Sequence, residues 1–183
     1  MYWQPHHLQP WLAALQAGQL AAAPAEGVYG YVAPVSNAEA LQRILDTKQR
    51  ATTKGFIVLV QSPLQLDQFC PALPHSCVDA IRTYWQLGEP ATTLILPALP
   101  SLSPMLTGGL GTIAIRQPQA HYMQEYLEAA GTPLVSTSLN VTGEPPALEA
   151  SAIPAGVAAL TLAKALSGEP SRILNPVTNE WLR

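Results

Sequence analysis

Ile44–Val60 reads ILDTKQRATTKGFIVLV, an amphipathic pattern that ends in a basic cluster and passes directly into an apolar run. Leu41, Ile44 and Leu45 recur at helical spacing and form the buried face of a helix. Upstream, Ser36 and Glu39 have the S-x-x-E form of a capping box, which places the helix start there and its last turn at the lysines. Phe56–Val60 is continuously apolar and rich in β-branched residues, the pattern of a strand covered on both faces. A helix that hands over to a buried strand is the unit from which α/β domains are built. The junction between them is unusually cationic. The whole chain has 9 Lys and Arg residues, and Arg43, Lys48, Arg50 and Lys54 all fall in this short region. Arg82 is the only other cation before Arg116, so a generally basic surface does not explain the cluster. Two explanations remain open: favourable charge at a helix C-terminus, or an anion site in which Lys-x-Arg-x-x-x-Lys converges point charges and a planar guanidinium on a polyphosphate.

Working outward, 183 residues with 48% apolar content suit one domain, residues 1–183, with a core of its own. The net charge of -3 and the charged fraction of 11% argue against a protein that holds nucleic acid mainly by neutralising phosphates, so any RNA contact would be local. Cys70 and Cys77 match neither a zinc ribbon nor a redox CxxC pair and read as free thiols of a reducing cytoplasm. The N-terminal MYWQPHHLQP lacks the basic and apolar regions of a secretory signal, and no apolar run reaches membrane-spanning length. A cytoplasmic protein without membrane contact is expected.

Leu8, Trp11, Leu12 and Leu15 predict a first helix closed by Gly18, followed by a short strand over Leu20–Ala23. Pro24–Gly30 reads as a structured loop. Ser62 and Pro63 predict another helix start, and Val78, Ile81 and Trp85 a further helix. Thr92–Leu96 and Thr112–Arg116 are strand candidates separated by a Pro-, Ser- and Gly-containing connection long enough to be functional. Pro118 is expected to open a helix that carries Tyr122, Met123, Tyr126, Leu127 and Ala130 inward and ends at Gly131. From Ala158 onward the pattern is short strands broken by Gly168, Pro170 and Pro176. The alternation implies an α/β domain, and several short connections imply that its sheet is mixed.

Leu134–Gly143, LVSTSLNVTG, begins as a strand and then crowds Ser136, Thr137, Ser138, Asn140 and Thr142 into one strand-to-loop transition. Local side-chain-to-backbone turns would use such a run, and so would a ligand loop. Taken in order, Lys48-Gln49-Arg50 with Lys54-Gly55, Thr112–Arg116, this Ser/Asn block and Pro170-Ser171-x-Ile173 resemble the YrdC/TsaC family of threonylcarbamoyl-AMP synthases over nearly the whole chain. The resemblance implies a single-domain, twisted mixed α/β sheet with a concave ligand cleft. It also implies the reaction: L-threonine, bicarbonate and ATP, with Mg2+, give threonylcarbamoyl-adenylate and pyrophosphate. The product feeds a downstream threonylcarbamoyl transferase that modifies adenosine 37 of tRNA, with at most a weak tRNA contact by this protein.

The chemistry asks for cations aimed at phosphates and for no protein nucleophile, which Lys48, Arg50 and Lys54 can satisfy. Carried over from the resemblance, Lys48 and Arg50 are the expected catalytic residues. Arg116 would pair with the threonine carboxylate, Ser136 and Ser138 would help hold substrate, and Thr112, Asn140 and Ser171 would contact the nucleotide. No metal ligand is assigned to the protein. The chain departs from the family where P-T-E-[TA]-V is usual and Pro24-Ala25-Glu26-Gly27-Val28 stands instead, and where Leu139 replaces Ala. The lost Thr hydroxyl at Ala25 is expected to weaken threonine binding. A non-catalytic paralogue that binds nucleotide or RNA through the same cleft is the alternative.

Overall fold

The computed structural model describes residues 2–183. Its centre is one mixed sheet in the strand order β7-β1-β2-β6-β3-β5-β4-β8-β9. The strands are β1 (Ala21–Ala25), β2 (Val28–Pro34), β3 (Ile57–Leu59), β4 (Thr92–Pro97), β5 (Thr112–Arg116), β6 (Leu134–Ser138), β7 (Ala158–Ala159), β8 (Arg172–Asn175) and β9 (Glu180–Trp181). The parallel pairs are β1 with β7, β3 with β5 and β4 with β8, and the other neighbours run antiparallel. The mixed sheet expected from the short connections is thus present.

Helices cover both faces, unequally. On one face, α2 (Ala38–Lys48) and α3 (His75–Tyr84) pack against Val58, Leu94, Leu96, Ile115 and Val135. The α2 stripe of Leu41, Ile44 and Leu45 is fully buried there, as its spacing predicts, and each such side chain contributes about 1.5–3 kcal/mol. On the other face, α1 (Pro5–Gln16) and α5 (His121–Ala130) pack against Ala21, Ala23, Val32, Leu59 and Leu134. Buried polar groups orient that layer: Trp11 Nε1 donates to the Ala22 carbonyl at 3.0 Å, and the Tyr126 hydroxyl donates to the Pro24 carbonyl at 3.2 Å. The layer stops short of β5, β4 and β8 and leaves part of the sheet face open.

Several local expectations shift. Asn37, not Ser36, caps α2, its Oδ1 accepting from the Ala40 amide at 3.0 Å. Both residue types can cap, and the hydrogen bond of the Asn37 amide to the Pro34 carbonyl places Asn37 in the capping position. Ser62 does cap the segment after β3 with Pro63 at its first position, but Pro63–Gln68 winds as a 3₁₀ helix. The α5 helix begins at His121 rather than Pro118, with Gly131 in the left-handed conformation closing it. A one-turn helix, α4 (Pro104–Thr107), lies inside the long connection between β4 and β5.

Pro24–Gly30 is not a loop. β1 runs through Pro24 and Ala25, turns at Glu26-Gly27 and returns as β2 with Ala25 opposite Val28. Pro24 is admitted because β7 pairs with β1 only at Ala21 and Ala22, which leaves that side of β1 without a strand partner at Pro24. Gly27 is required by proximity: a Cβ there would stand 1.7 Å from the Glu169 carbonyl oxygen. Gly55 is required by conformation, with φ 55° and ψ -169° at the end of the Thr52–Lys54 3₁₀ turn.

Candidate active site

Strand register builds the floor of the site. Ser136 of β6 lies opposite Ile57 of β3, Ile57 beside Ala114 of β5, and Ala114 opposite Ile95 of β4. The period-two alternation of strands turns all four to the same side, together with Ser138 and Arg116, two residues further along their strands. This row lines a cavity of about 340 Å³ in the part of the sheet that α1 and α5 leave uncovered. The size lies within the range of about 300–1,000 Å³ usual for small-molecule sites. Ala25 closes one side, and Pro170, Ser171 and Leu182 contribute another.

Four of the nine Lys and Arg residues meet here: Arg50, Lys54, Arg116 and Arg183. Among the described residues, no Asp or Glu lines the cavity. Arg50 follows the left-handed C-cap of α2 and donates from Nη2 to the Gly55 carbonyl at 3.0 Å, which ties it to the 3₁₀ turn that carries Lys54. Its Nε is buried without a partner, and burial pulls its pKa down. Arg116 ends β5, is 4% exposed and has the Glu26 carboxylate 3.5 Å from Nη1. Arg183 donates from Nε to the Ser171 carbonyl at 2.9 Å, and its pKa is lowered by desolvation and then by the Arg116 charge. Like charges so gathered in a concave, partly dry site favour an anionic ligand.

Lys48 is placed elsewhere. It is 1% exposed, does not line the cavity, and donates from Nζ to the Ser138 carbonyl, to the Asn140 carbonyl at 2.8 Å and to Asn140 Oδ1 at 2.7 Å. Its own carbonyl accepts from the amide and the hydroxyl of Thr142, at 3.0 and 2.9 Å. The three donors of the ammonium are therefore taken up by oxygen atoms of the Ser/Asn loop, and Lys48 stands apart from the cations that line the cavity. Burial, and next the Arg50 charge, pull its pKa to about 8. Asn140 shares this arrangement: its Oδ1 also accepts from the Ser138 hydroxyl at 2.7 Å, and it faces a separate depression beside Tyr31 and Thr47. Thr112 lies on the cavity side of β5 but outside the lining, paired with Pro97. Ser136, Ser138 and Ser171 are in the lining, and the Ser171 hydroxyl shares a hydrogen bond of 2.9 Å with Thr93.

Two residues of the site escaped the sequence reading. Glu26 was left unassigned because its hairpin reads as a loop, although it keeps the Glu of the P-T-E-[TA]-V motif and that match was the available signal. Arg183 has no local signal. It arrives because Arg172 sits over Trp181, 5.0 Å from the ring centroid, and over Tyr84 at 5.8 Å, which holds β9 against β8.

The family described as telomere recombination, Sua5/YciO/YrdC, matches residues 13–181. The chain belongs to the Sua5/YciO/YrdC family. It is 36% identical over 139 residues to the Vibrio campbellii threonylcarbamoyl-AMP synthase, covering 75% of this chain and 74% of that one. It is 31% identical over 169 residues to the protein of the same name from Hydrogenovibrio crunogenus, covering 91% of each. Among solved structures, the H234A/Y235A variant of P. abyssi Sua5 superposes with a TM-score of 0.81 at 25% identity, over 92% of this chain and 49% of that one. P. abyssi Sua5 complexed with L-threonine gives 0.71 at 28% identity, over 79% and 42%. The chain thus spans about half the length of these Sua5 chains. E. coli YciO, at 18% identity and a TM-score of 0.78, shares the fold. These family members have the twisted mixed α/β sheet expected from the sequence.

Proposed function

We infer that this protein is a threonylcarbamoyl-AMP synthase whose YrdC-like domain acts in the cytoplasm and supplies a threonylcarbamoyl transferase that modifies tRNA. The observation that carries this reading is the cavity itself, which gathers Arg50, Lys54 and Arg183 together with a separately paired Arg116 over a floor of Ile57, Ala114 and Ile95 flanked by the hydroxyls of Ser136 and Ser138. Relatives of the same name at 31–38% identity support it.

In this reaction the threonine amine attacks the carbon of bicarbonate, and water leaves with the broken C–O bond to give a carbamate. A carbamate oxygen then attacks the α-phosphorus of ATP, and pyrophosphate leaves with the electron pair of the broken bond. Arg50, Lys54 and Arg183 stabilise the charge that accumulates on the leaving phosphates. Arg116 takes the threonine carboxylate, and Ser136, Ser138 and Ser171 offer hydrogen bonds to substrate. Lys48 and Asn140 act at one remove by holding the Ser138 loop in place. Thr112 stands at the nucleotide side of β5. Mg2+ would accompany ATP as the counterion of its phosphates, and the hydroxyls of Ser136, Ser138 and Ser171 are the lining groups that could face it. No protein nucleophile takes part, so the rate comes from positioning and electrostatics.

The test is to incubate the purified protein with Mg2+-ATP, bicarbonate and L-threonine and measure pyrophosphate. Release that requires both threonine and bicarbonate is expected. A second reading, a nucleotide-binding paralogue, is favoured by one observation: Ala25 lines the cavity where the family usually has a hydroxyl. ATP binding without threonine-dependent pyrophosphate would give the site to that role. Under the synthase reading, Arg116→Lys loses the planar fork and should raise the threonine KM about tenfold, equivalent to about 1.4 kcal/mol, while leaving the ATP KM within about twofold.

A further inference from the structure

Of the four described cations that line the cavity, Arg116 differs in one respect: a carboxylate, that of Glu26, lies within ion-pair distance of it, at 3.5 Å. Glu26 is not among the residues that line the cavity and reaches Arg116 from the side of α5, where its Oε1 meets the Gln119 amide. We propose that Glu26 is the specificity-determining residue that divides this cavity into an amino-acid end and a phosphate end, by cancelling the charge of Arg116 and leaving Arg50, Lys54 and Arg183 uncancelled. The proposal rests on the reading of Arg116 as the amino-acid carboxylate ligand.

The placement of Glu26 is built into the fold. Its φ of 66° lies in the left-handed region that a residue with a side chain rarely adopts, and such conformations persist where the surroundings enforce them. The enforcement is visible. The Gly27 carbonyl accepts from the Gly168 amide at 2.8 Å, and Gly27 has no space for a Cβ against Glu169, so the turn is clamped. Glu26 Oε1 accepts from the Gln119 amide at 3.2 Å, which aims the other oxygen at Arg116. That oxygen, Oε2, is buried and makes no hydrogen bond. The pair is thus held by charge, and the N–H donors of Arg116 are not consumed by Glu26.

The consequence is selective. A polyphosphate binds where positive charge is uncompensated, and at Arg116 it would meet the Glu26 carboxylate within the same field. An amino acid carries its carboxylate beside an ammonium and is nearly neutral, so a guanidinium backed by a carboxylate suits it. With four cations around one small cavity, a built-in repulsion is what keeps phosphate out of the amino-acid end.

Calorimetric titration of L-threonine, with and without inorganic pyrophosphate, tests this. In the natural protein, millimolar pyrophosphate should leave the threonine dissociation constant within about twofold, and it should compete with ATP. Competition between pyrophosphate and threonine in the natural protein would overturn the proposal without recourse to any variant. Glu26→Gln retains an acceptor for the Gln119 amide and removes the charge. In that variant pyrophosphate should become a competitor of threonine, raising its apparent dissociation constant at least tenfold at a concentration without effect on the natural protein. A merely structural ion pair would instead lower the melting temperature and weaken threonine and ATP alike, with no new competition, and that result also overturns the proposal. Arg116→Met separates the underlying reading: threonine binding undiminished in this variant would remove Arg116 from the amino-acid end altogether. Threonine binding lost in Arg116→Met, with no competition in folded Glu26→Gln, would sink the role of Glu26 alone.

Discussion

Lys48 and Arg50 stand two residues apart in one basic run, yet the fold uses them in opposite ways. Lys48 is buried with each of its three donors on a loop oxygen, whereas Arg50 keeps an unpartnered Nε and lines the cavity. The separation arises at Gln49, whose left-handed conformation ends α2 between them and turns the chain. A cation whose donors are saturated by carbonyls belongs to the architecture, and a cation with spare donors in a cavity is available to a ligand.

The contrast can be broken most directly at Arg50. Arg50→Ala should lower turnover with ATP by about two to three orders of magnitude, the effect of losing roughly 2.7–4 kcal/mol of transition-state stabilisation, while the protein stays folded. Steady-state kinetics read alongside thermal melting decide it. Near-natural turnover would remove Arg50 from the phosphate end.

Lys48→Met should do the reverse and act first on stability. It deletes hydrogen bonds from a charged donor and leaves the Ser138 and Asn140 carbonyls without that partner, a loss of about 3 kcal/mol. For a chain of this size that lowers the melting temperature by roughly 6–12 °C. A variant that melts with the natural protein but no longer binds ATP would return Lys48 to the cavity.

The same lysine sharpens the comparison through pH. Its folded-state pKa of about 8 lies below the ordinary 10.5, so between these values the unfolded chain binds the proton that the folded chain has released. Stability from this group therefore rises with pH across that window and is flat below it. The denaturation midpoint of the natural protein, compared with that of Lys48→Met from pH 7 to pH 10, should show this rise in the natural protein only. Arg50, a guanidinium, has no counterpart in that range.

The smallest expected effect lies at the other end of the cavity. Ala25→Thr adds one hydroxyl beside the floor residues, and one neutral hydrogen bond contributes about 0.5–1.5 kcal/mol. Threonine should bind a few-fold to about tenfold more tightly, with ATP affinity unchanged, by calorimetric titration. No change in threonine affinity would show that Ala25 does not face the amino acid.

What can be read from short stretches of this chain is correct where the governing physics is local. The α2 stripe, the Ser62 cap with Pro63, the closure of α5 at Gly131 and the core strands all follow from periodicity and terminal residues within a few positions. The errors are local signals with two equally good readings. Ser36 and Asn37 can both cap, and Pro24–Gly30 has the Pro and Gly content of a loop while the apolar runs on either side of Glu26-Gly27 are the two strands of a hairpin.

The sequence by itself determined the α/β class, the mixed sheet, the family motifs and the set of residues from which a site could be made. The tertiary structure decided which of those residues face one another. Lys48 meets oxygens 90 and 92 positions away, Arg116 is answered by a carboxylate on a distant hairpin, and Arg183 enters because β9 folds back on β8. A charge has no preferred partner along the chain. Its role depends on which dipoles and ions lie within a few ångströms and how much water remains between them, and strand register and hairpin closure set both.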